Sequence, residues 1–173
     1  MKYLEWDDRE FPLAYLITFR TYGTWLHGDD RLSVDLRGQN LYGSPYVERN
    51  KQLSDLMKEN MREEPFLLNA DHRKHVDLAI REVCAYKNFA LKAIHVRTNH
   101  AHTVVSASSK PEPIATAFKA YATRRLRKED LVAPAAKVWA RGESTRYLWK
   151  QEFVERAIDY VINGQGDELP DWV

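Results

Sequence analysis

The sequence predicts an α+β fold: a ferredoxin-like or RRM-like antiparallel sheet with helices packed on one face. Three observations predict it. Strand-like and amphipathic segments follow one another in the order β–(insertion)–α–β–β–α–β–α. Two of the strands are separated only by Arg97–Asn99, a link short enough to favour an antiparallel hairpin. The chain has 173 residues, 44% hydrophobic, 12% aromatic and 29% charged, which suits one domain around one core.

The first strand lies within LAYLITFRTYGTW, residues 13–25, which is rich in β-branched and aromatic residues. HGDDRLSVDLRGQNLYGSPY follows, with turn residues at frequent intervals. A connection that long inside a small domain is usually functional or mobile. VERNKQLSDLMKENM then sets Leu53, Leu56, Met57 and Met61 at helical spacing. Residues 27–70 therefore read as a loop-and-helix insertion within a single domain spanning 1–173. DHRKHVDLAIREVCAYKNF carries Val76, Ala79, Ile80, Val83 and Cys84 on one helical face, with Asp71 as a cap or a favourable charge at its start. LKAIHV and HAHTVVSAS are the second and third strands. PEPIATAFKAYATRRLRKEDL is a helix opened by Pro111–Pro113, and APAAK breaks it. STRYLWK is the last strand, and QEFVERAIDYVIN the last helix, ended by Gly164.

Several classes are excluded. No apolar run approaches the ~18 residues of a membrane span. The acidic, aromatic opening MKYLEWDDREF does not read as a signal peptide. Cys84 is the only cysteine, so no internal disulfide forms, and a reducing cytoplasm is the expected setting. Its apolar neighbours mark it as a small core residue. The net charge is +1, but Lys119–Lys128, KAYATRRLRK, is basic without a single acid. Such a stripe either tracks phosphates or is an ordinary solvated helix face.

The chemistry concentrates in RTNHAHTVVSAS, Arg97 to Ser108. Residues i and i+2 of a strand share a face, so His100 and His102 present both rings on one side, while Ala101, Thr103 and Val105 suit a core. Two imidazoles make a minimal metal clamp that needs a third ligand; equally, they can be hydrogen-bonded structural histidines. His95 reads as structural. His72 and His75 have no partner at ligand spacing, and His27 ends a strand beside two aspartates. In the last helix Tyr160 lies at the edge of the apolar face of Val154, Ala157, Ile158 and Val161, a position for a boundary tyrosine with its hydroxyl free.

His100-Ala101-His102 fits the HUH motif, and its setting HVRTNHAHTVVSA resembles the NHxH strand of the single-tyrosine HUH transposases: the insertion-sequence transposases and the REP-associated tyrosine transposases. The resemblance continues in TYGTWLHGD, FKAYATRRL, STRYLW and AIDYVINGQG, over roughly 13–30 and 72–166. It implies a fold of the HUH endonuclease type and an enzyme that cuts single-stranded DNA, usually beside a hairpin, through a 5′-phosphotyrosine link. It implies His100 and His102 as metal ligands and Tyr160 as nucleophile. The family's third ligand is commonly a Gln one turn after the tyrosine. Here Gly164 stands four after Tyr160, and Gln165, at five, is the residue the resemblance points to if the helix loosens at Gly164. Tyr121, in FKAYATRRL, is the rival nucleophile.

The resemblance also implies Mg or Mn as cofactor, although two imidazoles favour Zn or Mn by ligand preference. Lys119, Arg124, Arg125, Arg127 and Arg146 are the candidate DNA contacts. Tyr22, Trp25 and Trp149 are candidates for stacking on bases or for filling the core. The expected partners are single-stranded or hairpin DNA and a second copy in a homodimer, with no membrane, in a cytoplasmic protein that joins the nucleoid when bound. Two further readings compete: a non-catalytic, domesticated hairpin binder, and an unrelated small metal hydrolase built on the HxH pair.

Overall fold

Among the residues described by the computed structural model, 10–24, 51–61 and 64–166, four strands form one antiparallel sheet. They are β1 (Ala14–Arg20), β2 (Ala90–Val96), β3 (His100–Ser106) and β4 (Ser144–Leu148), in the order β2-β3-β1-β4. The helices are α1 (Lys51–Glu59), α2 (Ala70–Lys87), α3 (Pro111–Lys128) and α4 (Gln151–Asn163). The α+β class and the antiparallel β2–β3 hairpin are those the sequence predicts. Of the expected insertion, 27–50 lies outside the described residues, as do Trp25 and His27; α1 forms where the Leu/Met spacing places a helix.

The helices divide between the two faces of the sheet. Tyr15, Ile17 and Phe19 of β1, with Ala101 and Val105 of β3, bury against Val76, Ile80 and Val83 of α2 and Ile114, Phe118 and Leu126 of α3. The alternate residues Ala14, Val104, Ala93 and Leu148 pack instead against Val154, Ala157 and Val161 of α4. The expectation of helices on one face thus holds for α2 and α3, while α4 lies opposite. The reason is in the strands: β3 is buried on both sides over Ala101–Val105, so its second apolar set needs its own cover. That set is small, and beyond it the same face turns polar with Thr18, His102 and His100. One helix covers the apolar part, and the polar part forms the site.

Two local features differ from expectation. The cap of α2 is Asn69 rather than Asp71: Asn69 Oδ1 accepts from the His72 backbone N–H, and the Asn69 N–H donates to His72 Nδ1. This occupies His72 structurally. In β2 the register shifts between Leu91 and Ala93. Leu91 pairs with Val105, but Ala93 pairs with Val104, so Lys92 is an extra residue, a β-bulge. Cys84 is buried as expected, and burial pushes its thiol up to about 11.

Candidate active site

The α4 face of the sheet gathers the chemistry-bearing residues. The register pairs Thr18 with His102, Arg20 with His100 and His95 with His102. The His100 and His102 rings meet edge to face at 4.6 Å between centroids, and Tyr160 meets His102 likewise at 5.5 Å. Tyr160 occupies the last turn of α4 with its side chain 46% exposed, so its ring rests on an imidazole and it stays open to solvent.

Each imidazole has an orienting partner at Nδ1. His100 Nδ1 donates to Asn99 Oδ1 at 2.6 Å, and His102 Nδ1 lies 2.6 Å from Thr18 Oγ1. With Nδ1 occupied, Nε2 is the nitrogen left to bind a ligand, and the partner fixes both tautomer and ring direction. The sequence reading missed Asn99 and Thr18. Asn99 had a signal, standing directly before His100; Thr18 had none without the cross-strand register.

The end of α4 brings in Gln165. The helix stops at Asn163, and Gly164 leaves it with its N–H on the Tyr160 carbonyl at 2.9 Å. The Gln165 side chain folds back: Nε2 donates to the Tyr160 carbonyl at 3.1 Å, and hydrogen bonding to Gln165 acts on both imidazoles. The helix thus ends at Gly164, and the Gln165 side chain turns back along its last turn. Gly164 has a steric reason as well. A Cβ there would come within 2.7 Å of the Tyr160 carbonyl oxygen and 3.0 Å of its ring. Gly164→Ala is expected to destabilise the protein by roughly 1–3 kcal/mol by this crowding. Urea unfolding checks it; an unchanged midpoint would show that the turn adapts freely.

Electrostatics keep the imidazoles neutral. Burial, reinforced by neighbouring His100, lowers His102 to about 4, against a smaller upward pull from Gln165. Burial also lowers His100, with repulsion from Arg97 and Arg20 and an opposing pull from Gln165. Neutral imidazole is the ligand-competent form. The pH consequence follows from linkage. Above the ordinary value of 6.5 His102 is neutral in both states, and as pH falls toward about 4 only the unfolded chain takes up the proton. Stability of the metal-free protein is thus fully present above pH 6.5 and falls by up to about 3 kcal/mol by pH 4. Urea midpoints of the protein and of His102→Gln across this window check it; equal slopes for the two would refute it.

Two imidazole nitrogens and a side-chain amide oxygen form a donor set that suits a divalent cation of the Mn or Zn kind. His100, His102 and Gln165 are the candidate set expected from the sequence; among the described residues no group of three or more His, Cys, Asp or Glu could hold a metal.

The basic residues expected to meet DNA do not all join this face. Arg146 does, as the exposed register partner of Leu16. Lys119, Arg124, Arg125 and Arg127 lie on α3, across the sheet from the histidines. Lys119 is committed to the Ala140 and Gly142 carbonyls and to Glu143. Arg125 bridges to α2 through His75 and Glu82. Arg124, over the Tyr121 ring at 4.9 Å, and Arg127 line an open groove of about 590 Å³ with Thr123 and Trp139. Tyr121 belongs to this α3 layer, packed against the core. Arg20 and Arg97, which the sequence reading did not single out, are the cations whose charge reaches the imidazoles.

The family model described as "Transposase IS200 like" matches residues 56–160, which include both histidines and end at Tyr160. None of the curated proteins compared with the chain matches it. Among solved structures the chain is similar to a REP-associated tyrosine transposase bound to a REP hairpin, at 11% identity and a TM-score of 0.46, covering 91% of this chain and 69% of that one. It is also similar to a proposed transposase from Deinococcus radiodurans R1, at 12% identity and a TM-score of 0.44, covering 94% of this chain and 98% of the other.

Proposed function

The chain belongs to the family of IS200-like transposases, and from that premise we propose that it is a metal-dependent endonuclease and strand transferase acting on single-stranded DNA at hairpin-associated sites. The observation that carries this reading is the contact of Tyr160 with His102 beside His100 and Gln165, all in one chain.

In this reading His100, His102 and Gln165 hold a divalent cation, Mg or Mn. A cation held there would supply Lewis-acid polarisation of a non-bridging oxygen of the scissile phosphate and offset its developing charge. The Tyr160 oxygen attacks the phosphorus and forms the 5′-phosphotyrosine bond. The P–O bond to the preceding nucleotide breaks, and that nucleotide leaves as a 3′-hydroxyl, the proton it takes up balancing the one the Tyr160 phenol gives up. A phenolate is a better leaving group than an alkoxide, so a 3′-hydroxyl can reverse the step and rejoin a strand without external energy. Arg146, Arg20 and Arg97 supply positive charge on the same side for the incoming backbone. Arg124 and Arg127 offer a second phosphate surface on the other layer.

In this reading Tyr160 acts with the histidines of its own chain, which it already meets, inside the expected homodimer. A homodimer that shared the site would exchange Tyr160 between copies. Mixing Tyr160→Phe with His102→Ala distinguishes the two: we expect no recovered cleavage, and recovery would establish a shared site.

The test of the function is covalent trapping. Labelled single-stranded hairpin oligonucleotides are incubated with the protein and Mn or Mg, then run on a denaturing gel. A shifted protein–DNA band that needs both the metal and Tyr160 supports the proposal. Binding without such a band on any hairpin would favour the non-catalytic binder. Thr18→Val should weaken Mn binding about 10- to 100-fold by releasing the His102 ring while preserving side-chain shape. Calorimetric titration checks this, and unchanged affinity would deny Thr18 its orienting part.

A further inference from the structure

Beyond the ligands and the nucleophile, the polar face holds a third imidazole with no part in the proposed chemistry. We infer that His95 is a positioning residue that fastens the last turn of α4 to the sheet and thereby holds Tyr160 against His102. The inference rests on the reading of Tyr160 as nucleophile and adds the device that places it.

Three observations carry it. First, His95 Nδ1 donates to the Val161 carbonyl at 3.0 Å, directly next to Tyr160 in the chain. The last four carbonyls of a helix have no partner within it. Here the Tyr160 carbonyl receives Gly164 N–H and Gln165 Nε2, and the Val161 carbonyl receives His95. The peptide that follows Tyr160 and the next one, after Val161, are thus both tied down, the second of them to the sheet.

Second, the bulge in β2 aims His95. Continuing the pairing of Leu91 with Val105 without a shift would set Ile94 against His102 and His95 against Ala101, on the α2/α3 face. The extra residue Lys92 shifts the register, so His95 pairs with His102 on the α4 face. Bulges commonly re-aim a side chain beside an active site.

Third, the strand pair that holds the clamp also holds the ligand. His95 and His102 are register partners, so the anchor of the tyrosine helix and a proposed metal ligand move as one unit of the sheet. Elsewhere α4 meets the sheet through the Tyr160 ring on His102 and an apolar strip of Val154, Ala157, Ile158 and Val161, contacts less directional than a hydrogen bond.

Three variants separate the donor from mere bulk. His95→Phe keeps a ring and loses the donor. His95→Gln keeps polarity but puts its amide near the place of Nε2. His95→Asn puts an amide N–H near the place of Nδ1. The first measurement is amide hydrogen exchange on the metal-free protein. Phe and Gln should speed exchange at Val161–Gly164 about fivefold or more, with α2 and α3 unchanged, and Asn should restore protection. The second is the rate of the Tyr160–DNA adduct with Mn and a hairpin oligonucleotide. Phe and Gln should slow it about 10- to 100-fold at unchanged Mn and DNA affinity, and Asn should recover most of the rate. Unchanged exchange, or a wild-type adduct rate in the Phe and Gln variants, overturns the clamp. An absence of adduct from the unaltered protein overturns the nuclease reading instead, and the exchange data then decide on the clamp by themselves. Should one donor-lacking variant fail to fold, the other carries both measurements.

Discussion

Tyr160→Phe removes one oxygen and is expected to lower covalent adduct formation by about 10^4-fold or more, with DNA affinity and folding stability nearly unchanged. The geometry explains both halves. The Tyr160 ring packs edge to face on His102, and phenylalanine keeps that contact. The side chain is also 46% exposed, so the lost hydroxyl leaves no buried polar group without a partner. The matched control is Tyr121→Phe. Tyr121 lies in the α3 layer under Arg124, with the sheet between it and the histidines, and its loss should leave the adduct intact. Adduct retained in Tyr160→Phe and lost in Tyr121→Phe would move the nucleophile to the other layer and refute the site.

The second large effect is on metal binding. His100→Ala removes one of two imidazoles and is expected to weaken Mn affinity by more than about 100-fold, beyond the loss typical of an orienting partner alone. His100 is the better test than His102. It is half-buried, whereas His102 is only 6% exposed, so its removal also leaves a cavity. Calorimetry with Mn, and the metal-induced rise in melting temperature, give two independent readouts. Equal Mn binding by His100→Ala and the unaltered protein would mean that the pair is structural and that the ion, if required, sits elsewhere.

Much of this was legible in the chain. The spacing of Val154, Ala157, Ile158 and Val161 reads as a helix over QEFVERAIDYVIN, and α4 has those bounds. Strand alternation sets His100 and His102 on one face, and they are found there in ring contact. What was not legible depends on partners distant in sequence. An apolar strip says that a helix is covered, not which face of a sheet covers it; Val104, on the histidine side of β3, was the one hint that this face also had a core. His95 reads as structural in the sequence, and no local pattern announces that a bulge in β2 sets it opposite His102. Composition left KAYATRRLRK open between a phosphate-tracking stripe and a solvated helix face; Gly142 and Glu143 occupy Lys119, and Glu82 occupies Arg125. No local pattern announces such long-range ion pairs.

The bulge also sorts β2 by its tolerance of insertions and deletions. Lys92 is exposed and sits where two residues oppose one, so deleting it would leave a regular ladder with Leu91, Ala93 and His95 on the partners they have now. Deleting Val96, between His95 and the hairpin turn, would set His95 against Ala101 and rotate it out of the site. A strand of seven residues thus contains one position where chain length is free and, four residues on, one where it is fixed by the chemistry on the neighbouring strand.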